Sequence, residues 1–171
     1  MRRSSWQNEE CESKKILKSC RHPKITGDFA EGLVLYWLSK HGFECALVDH
    51  TGLDIIARNP VNKELMGLSV KSQSRNAGTE NTVLRIDRKQ VPSLDLACRA
   101  FGCEPYFAIV VDAVGLITAW IVPKKRFLTL CDWKPHLHVY WKMGMKRVRQ
   151  YAADPTIMSF QFATKTINWW A

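Results

Sequence analysis

Residues 52–73 read Gly52-Leu53-Asp54-Ile55-Ile56-Ala57-Arg58-Asn59-Pro60-Val61-Asn62-Lys63-Glu64-Leu65-Met66-Gly67-Leu68-Ser69-Val70-Lys71-Ser72-Gln73. Two short runs, 53–58 and 65–73, flank Asn59-Pro60-Val61-Asn62, which is turn chemistry, so a β-hairpin is expected. Strand side chains alternate between faces. Ser69, Lys71 and Gln73 therefore share one face, and Val70 and Ser72 the other. A hairpin sets the start of its first strand beside the end of its second, which brings Asp54 near Lys71.

Working outward, residues 28–41 carry Ala30, Leu33, Val34, Trp37, Leu38 and His41 at helical spacing, with Thr26 as the expected N-cap and Gly42 as the stop. Glu31 lies at the edge of that apolar stripe and can lean over Asp54 and Lys71. Residues 43–48 read as a strand before the hairpin. Beyond it, 93–101 read as a helix opened by Pro92 and closed by Gly102. The unbroken apolar run 106–111 reads as a buried central strand, and 116–122 as its neighbour. Helix, three strands, helix and two strands predict an α/β class, a mixed central sheet with helices on both sides.

The chain has 171 residues, 46% of them apolar and 24% charged, which suits one globular domain and excludes a disordered chain or a rod. No apolar run approaches the roughly 18–20 residues of a membrane helix, so no membrane partner is expected. Lys and Arg number 25 against 16 acids, a net charge of +9, which favours a polyanionic partner such as nucleic acid. The first residues lack the apolar stretch of a secretory signal. A non-secreted, cytoplasmic or nucleoid-associated protein with reduced thiols is expected. Residues 1–23 read as a polar, basic tail with a short helix over 9–17, residues 24–135 as the core, and 136–171 as a C-terminal elaboration of the same domain.

Two carboxylates, a lysine and an amide converging at one sheet edge suit phosphodiester chemistry. Mg²⁺ is held by one or two carboxylates and waters, and a lysine beside a bound water can orient it. In order, Thr26-Gly27-Asp28-Phe29-Ala30-Glu31, Gly42-Phe43, Gly52-Leu53-Asp54-Ile55-Ile56-Ala57 and Leu68-Ser69-Val70-Lys71-Ser72 resemble the PD-(D/E)XK nuclease superfamily. Within it the pattern is similar to the Holliday junction resolvase-like and intron-associated endonuclease-like branch, over about residues 24–122.

The resemblance implies a restriction-endonuclease-like α/β/α sandwich and a Mg²⁺- or Mn²⁺-dependent endonuclease acting on DNA, including branched DNA. It also implies a homodimer. No small-molecule substrate is implied. Glu31, Asp54 and Lys71 match the catalytic positions, and Gln73 is a polar residue of a kind common there. The metal would fall to Glu31, Asp54 and Ser69. Ser69 departs from the pattern, which places Glu, Asp or Gln two residues before the lysine. Glu64 does not substitute for it, since it lies an odd five residues away, on the other face and roughly 16 Å along the strand. An inactive DNA-binding module on the same scaffold is the alternative, and a basic partner-binding protein with a chance motif is a third.

The stretch from Lys124 onward interleaves aromatics and bases. Lys124, Lys125, Arg126, Lys146 and Arg147 are candidates for phosphate contacts, with Trp133 to Tyr151 either stacking on bases or completing the core. Cys98, Cys103, Cys131 and His136, or Cys11, Cys20 and His22, lack the paired C-x2-C spacing of a zinc site and read as ordinary thiols.

Overall fold

The structure, a computed structural model, describes residues 17–76, 78–79, 81–113, 115–133 and 137–164. A long helix, α1 (His22–Lys40), leads into three strands, β1 (Glu44–His50), β2 (Leu53–Arg58) and β3 (Leu65–Ser74). A short strand β4 (Leu84–Asp87) and helix α2 (Gln90–Phe101) follow, then β5 (Glu104–Ala113) and β6 (Leu116–Pro123). The remainder comprises α3 (Lys124–Leu130), β7 (Asp132–Trp133), β8 (His138–Trp141), α4 (Met145–Ala152) and β9 (Met158–Ala163).

Six strands form one sheet in the order β1-β2-β3-β5-β6-β9, and β4, β8 and β7 form a second, three-stranded sheet. In the large sheet β3 and β5 run parallel and the other neighbours antiparallel. The β3–β5 connection passes through β4 and α2, as a parallel pair requires. The alternation along β5 explains the layering: Ala108 and Val110 join the core under α1, while Phe107, Ile109 and Val111 join the core under α2, α3, α4 and the small sheet. β5 is the buried central strand its apolar run predicted.

Two helix starts differ from the sequence expectation. α1 begins at His22, six residues before Asp28. Pro23 suits a first turn because its missing N–H has no partner to lose there. Thr26, the expected cap, is interior and its Oγ1 donates to the His22 carbonyl at 2.8 Å. α2 likewise begins at Gln90, taking Pro92 into its first turn, and ends on Gly102 at φ 65° with the Cys103 amide on the Cys98 carbonyl. Five elements after Pro123, and β4, had no clear signal in the sequence. The helix expected over 9–17 falls almost wholly on residues outside those described.

Two glycines hold the hairpin against α2. Gly52 sits at φ +88° and lies so close to α2 that a Cβ would stand 2.7 Å from the Ser93 carbonyl carbon. Gly67 faces the α2 core, where a Cβ would meet Cys103 Sγ at 2.5 Å and Cys98 Sγ at 2.6 Å. In the C-terminal part Trp141 and Tyr151 are fully buried, their rings stacked at 4.0 Å, and Phe127 stacks on Trp141 at 5.6 Å. These aromatics complete the core.

Candidate active site

The hairpin opens into a fork. β2 pairs with β3 from Arg58 opposite Leu65 to Ile55 opposite Leu68. β3 then continues to Ser74, its other edge still paired with β5. Asp54 is the first residue past the last pair. Its Oδ2 accepts the Val70 amide at 2.6 Å and the Ser69 hydroxyl at 3.3 Å. A side chain of β2 thereby satisfies a backbone donor that would otherwise lose its partner where the strands part. Turn geometry supplies the rest: Gly52 makes the β1–β2 bend tight enough to deliver Asp54 to this point.

Glu31 and Lys71 complete the cluster. Ala30, Val34 and Leu38 bury one stripe of α1 on the sheet, and Glu31, next to Ala30, is left half-buried at its margin. Burial pushes the Glu31 carboxyl up from its ordinary value. The negative charges of Asp54 and Asp28 push it further, against the pull of Lys71 and Lys24. Burial holds the Lys71 ammonium below its ordinary value, while Asp54 and Glu31 act to raise it. Each of the three side chains therefore lies in the field of the others. Three residues from three elements come near one another where β2 and β3 part.

The donor set fits a hard divalent cation shared with a substrate. Glu31 and Asp54 are oxygen donors, and both Asp54 hydrogen bonds fall on Oδ2. Mg²⁺ is commonly held by one or two carboxylates together with waters and phosphate oxygens. Among the described residues no group of three or more His, Cys, Asp or Glu side chains is placed to hold a metal. Two carboxylates are a donor set of the kind that a hard cation completes with water and other oxygens. Ser69, proposed from sequence as a ligand, is 1% exposed and donates to Asp54. Its hydroxyl steadies the carboxylate.

The other predicted residues are spread more widely. Gln73 lies two residues beyond Lys71, about 7 Å along β3, and its Oε1 accepts from Arg75 Nη2 at 3.2 Å. Glu64 sits at the far end of β3, where Tyr106 donates to it at 3.2 and 3.3 Å. Lys124 is paired with Asp95 of α2, Arg126 with Asp154 at 2.6 Å, and Arg147 donates to Gln150 at 2.9 Å. Lys125 and Lys146 are exposed. The partners of these bases on α3 and α4 lie outside the Glu31, Asp54 and Lys71 cluster. His136 and Cys11, from the two zinc possibilities, lie outside the described residues, and Cys98, Cys103 and Cys131 are buried. Sequence reasoning missed Lys18, Arg75 and Arg85, which line a groove beside the cluster. Lys18 carried no signal, although Arg75 shares the face of Lys71 and Gln73 by simple alternation.

No protein-family model matches this sequence, and no curated protein matches it. Among solved structures, a Holliday junction resolvase from the archaeal hyperthermophile Archaeoglobus fulgidus superposes with a TM-score of 0.53. It shares 19% identity, over 72% of this chain and 88% of the resolvase. The fold is restriction-endonuclease-like. Weaker likenesses to this restriction-endonuclease-like chain include a bacterial homing endonuclease at TM-score 0.46 and 16% identity, over 72% of this chain and 80% of the other. A restriction endonuclease in complex with substrate DNA follows at 0.41 and 12%, over 90% and 76%. In this chain Asp54, Lys71 and Glu31 come from the two strands of the fork and from α1.

Proposed function

We propose that this protein is a divalent-metal-dependent endonuclease that hydrolyses DNA phosphodiester bonds, with branched DNA among its substrates. The observation that carries the reading is the position of Asp54 where β2 and β3 part, held by the Val70 amide and the Ser69 hydroxyl, with Glu31 and Lys71 within reach of its charge. The net charge of +9 supports a polyanionic substrate.

Glu31 and Asp54 would hold Mg²⁺ or Mn²⁺, which when bound neutralises phosphate charge and lowers the pKa of a coordinated water. The chain's own side chains do the rest. Ser69 and the Val70 amide fix Asp54 through Oδ2. Lys71, with its ammonium destabilised by burial, is suited to orient a water by hydrogen bonding and to hold negative charge developing on the phosphate. Glu31 is protonated more readily than an ordinary glutamate, so its ionisation is linked to binding a cation. A junction needs two incisions, so resolution of one would call for two copies of the chain.

The test is cleavage of a four-way junction and of its linear arms by purified protein in Mg²⁺ or Mn²⁺. The expected result is product that disappears with EDTA and in Asp54→Asn. Equal background in wild type and Asp54→Asn overturns the reading. Salt-sensitive DNA binding without product in either metal would leave a binding module on the same fold.

A further inference from the structure

β3 runs past the fork into a groove that the chemistry at Asp54 does not use. Two clefts of about 830 and 320 Å³ meet there and share Lys18, Ser72, Gln73 and Ser74. The larger continues to Arg75 and to Arg85 on β4, and no described residue of its lining carries a carboxylate. Lys18 is held at the seam: its Nζ donates to the Ser74 carbonyl at 2.7 Å and to Ser74 Oγ at 3.1 Å. An ammonium has three donors, and among the described residues two of them are used, both on Ser74. Arg85 is exposed on the outer wall. Arg75 is buried, with Nη2 on Gln73 Oε1 at 3.2 Å and Nη1 on the Thr79 carbonyl at 3.5 Å. Its guanidinium ties the groove's wall to its floor.

We propose that this groove binds the sugar–phosphate backbone of the DNA strand flanking the bond held at Asp54 and Lys71, with Lys18 and Arg85 on its phosphates. The inference rests on the nuclease reading and extends it to where the substrate lies. A cationic trough lined by hydroxyls and amides matches phosphate oxygens in charge and in hydrogen bonding. From Lys71 to Arg75 is four strand residues, about 13 Å, which spans about four nucleotides of duplex at about 3.4 Å per strand step. The groove is thus in reach of the same strand that enters the fork. Arg75 is a positioning residue that holds Gln73 Oε1 at 3.2 Å.

The experiment is equilibrium binding, by fluorescence anisotropy in EDTA, of a fluorescein-labelled DNA duplex to wild type, Lys18→Ala, Arg85→Ala and Lys63→Ala across a KCl series. Lys63 is exposed on the β2–β3 turn and serves as a remote control. Lys18→Ala and Arg85→Ala are each expected to weaken binding about threefold or more and to reduce the salt slope by about 1. Lys63→Ala is expected to match wild type. Unchanged affinity and slope in both groove variants, with wild type binding, overturn the groove and leave the nuclease reading to the Asp54→Asn cleavage test. Wild type that binds no DNA at low salt also overturns the groove, and the nuclease reading again stands or falls on the cleavage test. Circular dichroism checks that the exposed substitutions leave the fold intact.

Discussion

Asp54 on β2 accepts the backbone amide of Val70 on β3 at 2.6 Å, at the point where the two strands stop pairing. One carboxylate therefore serves two purposes. Oδ2 satisfies the sheet, and the carboxylate's charge acts on Glu31 and Lys71. Structure and proposed chemistry are joined in a single side chain, and substitutions there separate them.

Asp54→Asn keeps an acceptor for Val70 and removes the charge. It is expected to fold with near wild-type stability and to lose cleavage by at least about 100-fold, as expected for a lost electrostatic contributor. Asp54→Ala also strands the Val70 amide and should cost about 1–3 kcal/mol of stability. Thermal melts beside cleavage rates check the pair. Equal stability of the two variants would show that the 2.6 Å contact does not support the fork.

Glu31 is raised above 4.5 in the folded protein, chiefly by burial and by Asp54. Between 4.5 and that raised value the folded state binds more protons than the unfolded chain, so stability falls as pH rises through the window. The stabilising contribution is complete below 4.5 and lost above the folded value. Glu31→Gln removes the penalty and should raise the melting temperature at pH 7 by about 2 °C, a small effect because solvent screens a half-exposed group. The gain should vanish in melts below pH 4.5. A gain of equal size at both pH values would assign it to packing instead.

Lys71 is shifted the opposite way, below 10.5. Between its folded value and 10.5 the unfolded chain binds more protons, so stability rises with pH across that window. Lys71→Met should flatten this part of the pH–stability curve, followed by chemical denaturation from pH 7 upward. It should also reduce cleavage by about 100-fold or more.

Ser69→Asp restores the acid that the PD-(D/E)XK pattern places two residues before the lysine. Ser69 is buried and touches Asp54, so in EDTA a second carboxylate should lower stability by about 2 kcal/mol, or about 4–8 °C in melting temperature. Mn²⁺ should recover most of that loss and bind more tightly than to wild type, read by calorimetry. Destabilisation that Mn²⁺ does not reverse would mean that position 69 does not face the cation.

Gly67→Ala drives a methyl into Cys98 and Cys103 Sγ at 2.6 and 2.5 Å. Overpacking of this kind costs about 1–3 kcal/mol. In a Cys98→Ala, Cys103→Ala background the same substitution should cost clearly less, a coupling a double-mutant cycle measures. Additive losses would place the strain on Leu53, the third neighbour at 2.9 Å.

The hairpin, the central apolar strand and the order helix–Glu31, strand–Asp54, strand–Lys71 were legible in residues alone. They depend on local periodicity and turn chemistry, which act over a few residues. Glu64 could be set aside for the same reason, since strand parity is local, and it stands on Tyr106 at the far end of β3. The start of α1 differs because Thr26 looks like a cap in sequence, whereas in the fold its hydroxyl donates to the His22 carbonyl one turn earlier and the helix runs through it. Elements after Pro123 had no legible pattern, because Trp141 and Tyr151 satisfy a core assembled from six other segments. Tertiary structure alone decided that Lys124 and Arg126 meet Asp95 and Asp154, that Ser69 donates to Asp54, and that Lys18 reaches Ser74 from 56 residues away. Such contacts depend on distances between elements, and those are set by packing of side chains far apart in the chain.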